Sequence, residues 1–351
     1  MSLSQIKSLI TYRQTNEPEN PSKGELWLHL TTKSVKVYNG TSWDIIWIGL
    51  PGYGFIIGGS YGGNYTSEIE RITFPFDSGT ATLLGNISYT KGYMSGFNST
   101  NYGFLTGGQN TVAISTVERI EFPFDSGNSS AVGNLVQSRT AGAGCNSSLH
   151  GYTLGGQNSS VKITNVDRLT FPFDSGTSNQ VGNLSITTTN VPGGLNASLY
   201  GYLCGGYGTS YWHSNIERIT FPFDSGTSSH VGNTTMSRYG LAACNSTIYG
   251  FLGGGLTDPT YRSIIERFTF PFDSGTANHV GNLTTTRFNP AAVNSTTHGY
   301  FCGSGPTSSF SSIERIIFPF DSGTSTAIGN LNHSVAVHST CDNTDFITQF
   351  V

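Results

Sequence analysis

Charge is scarce in this sequence: 17 Lys and Arg stand against 21 Asp and Glu in 351 residues, 11% of the chain, with a formal net charge of −4. So few cations cannot build the basic stripe that a phosphate backbone requires, which disfavours a nucleic-acid partner. No apolar run reaches the roughly 18 residues of a membrane span, so no membrane insertion is expected. The opening stretch MSLSQIKSLITYRQTNEPENPSKG lacks the apolar core and cleavage site of a secretory signal, and a soluble chain made without one is expected. The five cysteines, Cys145, Cys204, Cys244, Cys302 and Cys341, are odd in number and contain no CxxC pair, which indicates neither a disulfide framework nor a zinc site. Three of them lie twelve residues after the Gly of a GN dipeptide, and two occupy the third position after the Gly of GYLC or GYFC. Equivalent places in alternate repeats are too far apart to bridge, so buried reduced thiols are expected.

Catalytic signatures are equally thin. The eight histidines, among them His150, His213, His230, His279 and His298, form no HxH or HExxH pair, so neither a metal nor a cofactor is expected. DSGT is half of a sialidase Asp-box but lacks its leading Ser and trailing Trp, and no paired carboxylates for glycoside hydrolysis stand out. The His and Tyr set of a copper oxidase is missing too. The sequence reads as a non-enzyme.

What the chain does have is repetition. ERITFPFDSGT at 70–80 returns five more times, with the leading Phe at Phe74, Phe122, Phe171, Phe221, Phe270 and Phe318, giving spacings of 48, 49, 50, 49 and 48. A catalytic constellation is needed once, whereas a packing device is needed in every unit, so the phrase reads as architecture. Each unit parses into a small-residue segment such as RYGLAACNST, a GYGFIIGG-like segment, IERITFPF, and a stretch ending in VGNL. β-branched and aromatic residues bounded by Gly, Asn and Asp-Ser-Gly predict strands and hairpins, and no sustained helical period is present. Four strands per period predict an all-β propeller of four-stranded blades, with the small residues on the innermost strand.

Along IERITFPF the alternation puts Ile72, Phe74 and Phe76 on one face and Ile69, Arg71 and Thr73 on the other. The dyads Glu70–Arg71, Glu118–Arg119, Asp167–Arg168, Glu217–Arg218, Glu266–Arg267 and Glu314–Arg315 therefore point to opposite faces. The expectation is that each Arg reaches a Glu or a backbone carbonyl of the next repeat. Asp77, Asp125, Asp174, Asp224, Asp273 and Asp321 open turns in which Gly takes a positive φ, and the Pro of FPF marks a bulge or strand end. The sequons at Asn98, Asn146, Asn245 and Asn294 read as turn formers between two strands, with no glycosylation implied.

Six phrases are present, but both ends extend the pattern. LNHSVAVHSTCDNTDFITQFV continues in register through the small-residue strand, and GELWLHLTTKSVKVYNG is a hairpin able to supply outer strands. Dividing 351 by a period of 49 gives about seven. Seven blades over residues 24–351, with 24–50 and 332–351 together closing the ring, are favoured over six blades plus an N-terminal β-module. Residues 1–23 read as a Pro-interrupted arm, suited to docking on another protein or simply frayed.

The order R…A..N, GY..GG, then IER resembles the kelch-like propeller repeat over roughly residues 42–351, although FPF and GNL replace the Tyr and Trp of the kelch outer strands. NPSKGELWLHLTTKSVKVYNGTSWDII at 20–46 resembles a segment of bacteriophage tail and fibre proteins. The FPFDSGT…VGNLT..R wording is similar to that of virion proteins of tailed phages. These resemblances imply a virion protein assembled in the host cytoplasm, part of a multi-copy tail or fibre assembly, with other virion proteins as partners.

Comparing the units with one another locates a site. The interval from the first Phe of FPF to the Gly of GN is eleven residues in all six copies, whereas the segment between GG and ER varies in length and content. Loops free of the repeat on a rigid scaffold are where recognition concentrates. Tyr61, Tyr65, Tyr207, Tyr211, Trp212, His213, Tyr261, Arg262 and Phe310 fall there. Aromatic faces beside Asn, Ser and Thr suit a host-surface glycan or receptor, or a neighbouring virion subunit in a purely structural role.

Overall fold

Strands and turns make up all the regular structure among the described residues of the computed structural model, which are 10–29, 34–48, 52–61, 63–305, 310–334, 336 and 339–343. They fall into two compact units, one holding the strands between residues 10 and 48 and the other spanning Tyr53–Asn343.

The first unit is a single four-stranded sheet: Ile10–Gln14, Leu26–His29, Ser34–Tyr38 and Trp43–Ile48 lie side by side in chain order. Trp27, Leu28 and Val35 are buried in it. The expected arm is therefore corrected in part. Ile10–Gln14 is a strand paired in parallel with Leu26–His29, tied down by Trp27 Nε1 donating to the Gln14 carbonyl at 3.0 Å and Tyr12 donating to Glu25 at 2.8 Å. Residues 1–9 lie outside the described residues.

The second unit contains six sheets, one per phrase, each with four antiparallel strands; the first and the sixth also carry a two-residue fifth strand paired in parallel, and two small two-stranded hairpins stand beside them. The third is representative: Ala143–Asn146, His150–Leu154, Asn165–Thr170 and Asn179–Asn183. In the first sheet the innermost strand comes from the far end of the chain. Ser339–Asn343 pairs with Tyr53–Ile57, which pairs with Glu68–Thr73 and then Thr82–Asn86. The favoured seventh unit shared by both termini is thus not formed among the described residues. The first phrase has no small-residue strand of its own, the C-terminal strand supplies it, and the N-terminal hairpin completes a separate sheet instead. Beyond 343, the expected closing segment lies outside the described residues.

Neighbouring sheets are joined by a link repeated six times, and this is what the phrase encodes. Arg71 donates to the Phe124 carbonyl at 3.0 Å and to Asp125 at 2.5 Å. Arg119 meets Asp174, Arg168 meets Asp224, Arg218 meets Asp273, Arg267 meets Asp321, and Arg315 of the sixth sheet meets Asp77 of the first. The expected carbonyl partner is present, but the expected Glu partner is corrected to the Asp of the following Asp-Ser-Gly turn. The Gly of each GN packs against the carbonyl of the turn Gly in the next sheet, so that a Cβ at Gly85, Gly133, Gly182, Gly232, Gly281 or Gly329 would strike it. The adjacent Asn pairs in parallel with the residue after that turn Gly, as in Asn86 with Asn128 and Asn330 with Thr80, which covers the outer sheet edge. The constant interval of eleven residues holds both ends of this clasp in register.

Aromatic stacking repeats the same step. The ring in the second strand stacks on the first Phe of the next FPF, with centroids 5.1–5.4 Å apart in Phe55–Phe122, Phe104–Phe171, Tyr152–Phe221, Tyr202–Phe270, Phe251–Phe318 and Tyr300–Phe74. Ile72, Phe74 and Phe76 enter the core shared with the sixth sheet, and Ile69 the core shared with the second, as the alternation predicts. The five cysteines are buried and form no disulfide among the described residues. The innermost strands lie so close together that a Cβ at Gly96, Gly144 or Gly194 would meet a neighbouring backbone carbonyl. Each of them packs on its two neighbours, and Ser339–Asn343 packs on both Ser95–Asn98 and Ala291–Asn294.

Candidate functional site

Antiparallel order puts the start of every first strand, the end of every second strand and the variable GG-to-ER loops at one end of each sheet. At that end a cavity of about 90 Å³ is lined by residues from all six first strands, including Ser95, Ala143, Gly193, Leu241, Ala291 and Ser339. The backbone around it is cross-linked: Ala141 N–H donates to the Tyr93 carbonyl, Gly240 N–H to Asn190 and Asn289 N–H to Gly240. Tyr93, Ala141, Asn190 and Asn289 hold positive φ there.

Beside the cavity, residues of the third, fourth and fifth sheets and of the segment leading into the sixth build an aromatic cluster. Trp212 lies parallel to Tyr239, with centroids 6.3 Å apart and planes 6° from parallel. Tyr207 approaches both rings, at 6.3 Å from Trp212 and 6.1 Å from Tyr239. Tyr239 meets Phe288 edge-on at 5.3 Å, and Tyr261 lies 5.8 Å from Phe288. Lys162 caps the cluster from the third sheet, its Nζ 3.6 Å from the Tyr207 ring centre while donating to the Gly208 carbonyl. Burial lowers the Lys162 pKa and raises those of Tyr239 and Tyr93. These rings are half-buried, whereas Tyr211, packed edge-on against His213, is 65% exposed.

Of the residues expected from sequence, Tyr207, Tyr211, Trp212, His213 and Tyr261 come together here. His213 sits under the loop instead of on its surface: it is buried, burial lowers its pKa, and its Nε2 lacks a hydrogen-bond partner. The rest lie apart from the cluster or support it from below. Tyr61 is exposed and packs on His333 at 5.3 Å; Tyr65 accepts from Gln109 Nε2 at 2.6 Å; Phe310 packs on Gly305; Arg262 runs beside Arg287. Sequence reasoning missed Lys162, Tyr239 and Phe288. Tyr239 and Phe288 each follow the Arg that enters a first strand, where other repeats carry Thr140 or Gly92, so comparing that position across units would have found them.

The opposite end is built differently. Asn98, Asn146, Asn196, Asn245 and Asn294 each donate a backbone N–H to the side-chain oxygen of the next, the last link reaching Asp342 at 3.1 Å. The adjoining Ser hydroxyls accept turn N–H groups, as Ser147 does from His150 at 3.1 Å, so the sequons form turns as expected. Burial pushes the Asp342 carboxyl up to about 6.

Among the described residues one cluster could hold a metal, Glu68, Glu70 and His333, where none was expected from sequence. No protein-family model and no curated protein matches the chain.

Proposed function

We propose that Tyr53–Asn343 is a six-bladed, kelch-like β-propeller, and that the protein is a non-enzymatic component of a tailed-phage virion, in its tail or fibre, binding host-surface glycan through the loop end. The ring reading is supported by the six-step clasp, whose last link from Arg315 returns to Asp77, and by the inner strands that share one cavity. The observation carrying the binding reading is the cluster in which Tyr207, Trp212, Tyr261 and Lys162 of the variable loop segments meet Tyr239 and Phe288 at the entry to two first strands. Flat aromatic faces offer large rigid contact area at low entropic cost, and sugar rings present C–H faces to them. The virion setting rests on the sequence resemblance.

The test is binding of the purified protein, and of a Tyr211→Ala, Trp212→Ala, Tyr239→Ala variant, to a glycan array and to bacterial cells. Saturable binding that the variant loses is the expected result. A folded wild-type protein that binds neither overturns the reading.

A second reading, an assembly protein contacting only other virion subunits, is favoured by one feature. Leu149, Leu199 and Ile248 occupy the same turn of three consecutive sheets at the end away from the variable loops, and are 63%, 59% and 54% exposed. A three-residue apolar arc of this kind suits a protein contact.

A further inference from the structure

The acid of each repeated dyad is buried, and in four sheets it has a buried cation. Lys91 lies 2.5 Å from Glu118, Arg139 2.6 Å from Asp167, Arg287 2.6 Å from Glu314, and Arg238 pairs with Glu266. The third sheet shows the full arrangement. Arg139 Nη2 donates to Asp167 Oδ1, while its Nη1 donates to the carbonyls of Gly155 at 3.2 Å and Asn165 at 2.9 Å. Asp167 Oδ2 is held separately by Ser178 and the Val136 N–H.

The fourth sheet keeps every acceptor and loses the cation. Glu217 is 1% exposed, and its Oε2 accepts from Ser185 and Ser228. Thr188 occupies the place of Arg139: its carbonyl accepts from Gly156 N–H as that of Arg139 does from Gly108 N–H. The short Thr188 side chain reaches only the Gly205 carbonyl, at 3.2 Å. Glu217 Oε1, the oxygen that the two serines leave unheld, is buried without a hydrogen bond. A buried carboxylate with no counter-charge costs several kcal/mol.

Among the described residues no lysine or arginine pairs with Glu217, and only histidines stand near it. His230 Nδ1 is 3.8 Å from Oε1, too far to hydrogen-bond, and lies 2.8 Å from Asn215 Nδ2. His213 Nε2 has no partner and packs against Gly208, and Lys162 is committed to Tyr207 and the Gly208 carbonyl. Glu70, the other acid without a Lys or Arg partner among the described residues, is compensated differently, by two hydrogen bonds from Asn332.

We propose that Glu217 Oε1, with the carbonyls of Asn215 and Gly205, binds a monovalent cation of the sodium, potassium or ammonium class in place of the missing arginine. The donors are hard oxygens, and the single negative charge matches a single positive one. A cation that binds only the folded state raises the melting midpoint as its concentration passes the dissociation constant.

The test follows the melting midpoint of the full chain in sodium, potassium, ammonium and choline chlorides at equal ionic strength. The wild type is expected to melt several degrees higher in at least one of the small cations than in choline. Glu217→Gln is expected to lose the difference. Thr188→Arg is expected to melt higher in choline and to become insensitive to the cation. Equal midpoints in all four salts, or an undiminished difference in Glu217→Gln, overturn the proposal. If Thr188→Arg does not fold, sodium-23 line broadening by the wild type decides: broadening that Glu217→Gln abolishes supports the site, and broadening that it retains overturns it.

Discussion

Arg315 of the sixth sheet donates to Asp77 of the first, across 238 positions of sequence, with the same geometry that joins Arg71 to Asp125. The Asp side chains in this set are 62–68% exposed, so solvent screens the pairs and each contributes only about 0.2–1 kcal/mol. Arg315→Ala is therefore expected to lower stability by about 1 kcal/mol, no more than Arg168→Ala does. Chemical denaturation checks this, and a loss several times larger at Arg315 alone would show that closure depends on this one pair.

The buried pairs behave differently. Lys91 and Glu118 are both fully buried, and removing the cation strands the carboxylate, so Lys91→Met is expected to cost about 3–5 kcal/mol. Burial alone would raise the Glu118 pKa, but the Lys91 ammonium and hydrogen bonds from Ser129 and Ser88 outweigh it and hold the carboxyl below its ordinary value of 4.5. A carboxyl depressed on folding gives stability that is present above its unfolded pKa and lost as pH falls through the folded one. The acid limb of the stability curve should thus be shallower in Glu118→Gln than in the wild type, as pH-dependent melting would show.

Asp342 has the opposite sign. Its carboxyl, lifted to about 6 from 3.8 by burial, holds its proton in the folded state when the unfolded chain has lost it, so stability falls as pH rises from 4 to 6. Asp342→Asn, which places there the residue of the other five sheets, is expected to raise the melting midpoint at pH 7 and to leave it unchanged below pH 4. A variant destabilised at pH 7 would contradict this.

Gly182 faces the Gly226 carbonyl of the next sheet, where a methyl group has no room. Gly182→Ala is expected to cost about 1–3 kcal/mol by overpacking, whereas Ala at Ser229, exposed at the start of the last strand of the fourth sheet, should be near neutral. Paired thermal melts of the two variants measure the difference.

The sequence by itself determined the unit of this protein: the period, the four strands in each unit, the two faces of IERITFPF, the turn at Asp-Ser-Gly and the small inner strand. All of these follow from local alternation and turn chemistry. It also marked the variable loops, and five of the nine residues picked from them do converge. What it could not supply was partnership across sheets. Asp125 instead of a Glu receives Arg71, Lys162 and Tyr239 join loops far apart in the chain, and the C-terminal strand completes the first sheet. Those outcomes depend on which surfaces meet once the strands are paired. Local periodicity fixes the direction of a side chain but not what stands opposite it, and only the tertiary structure settled that Thr188 leaves Glu217 without the buried Lys or Arg that four sister sheets possess.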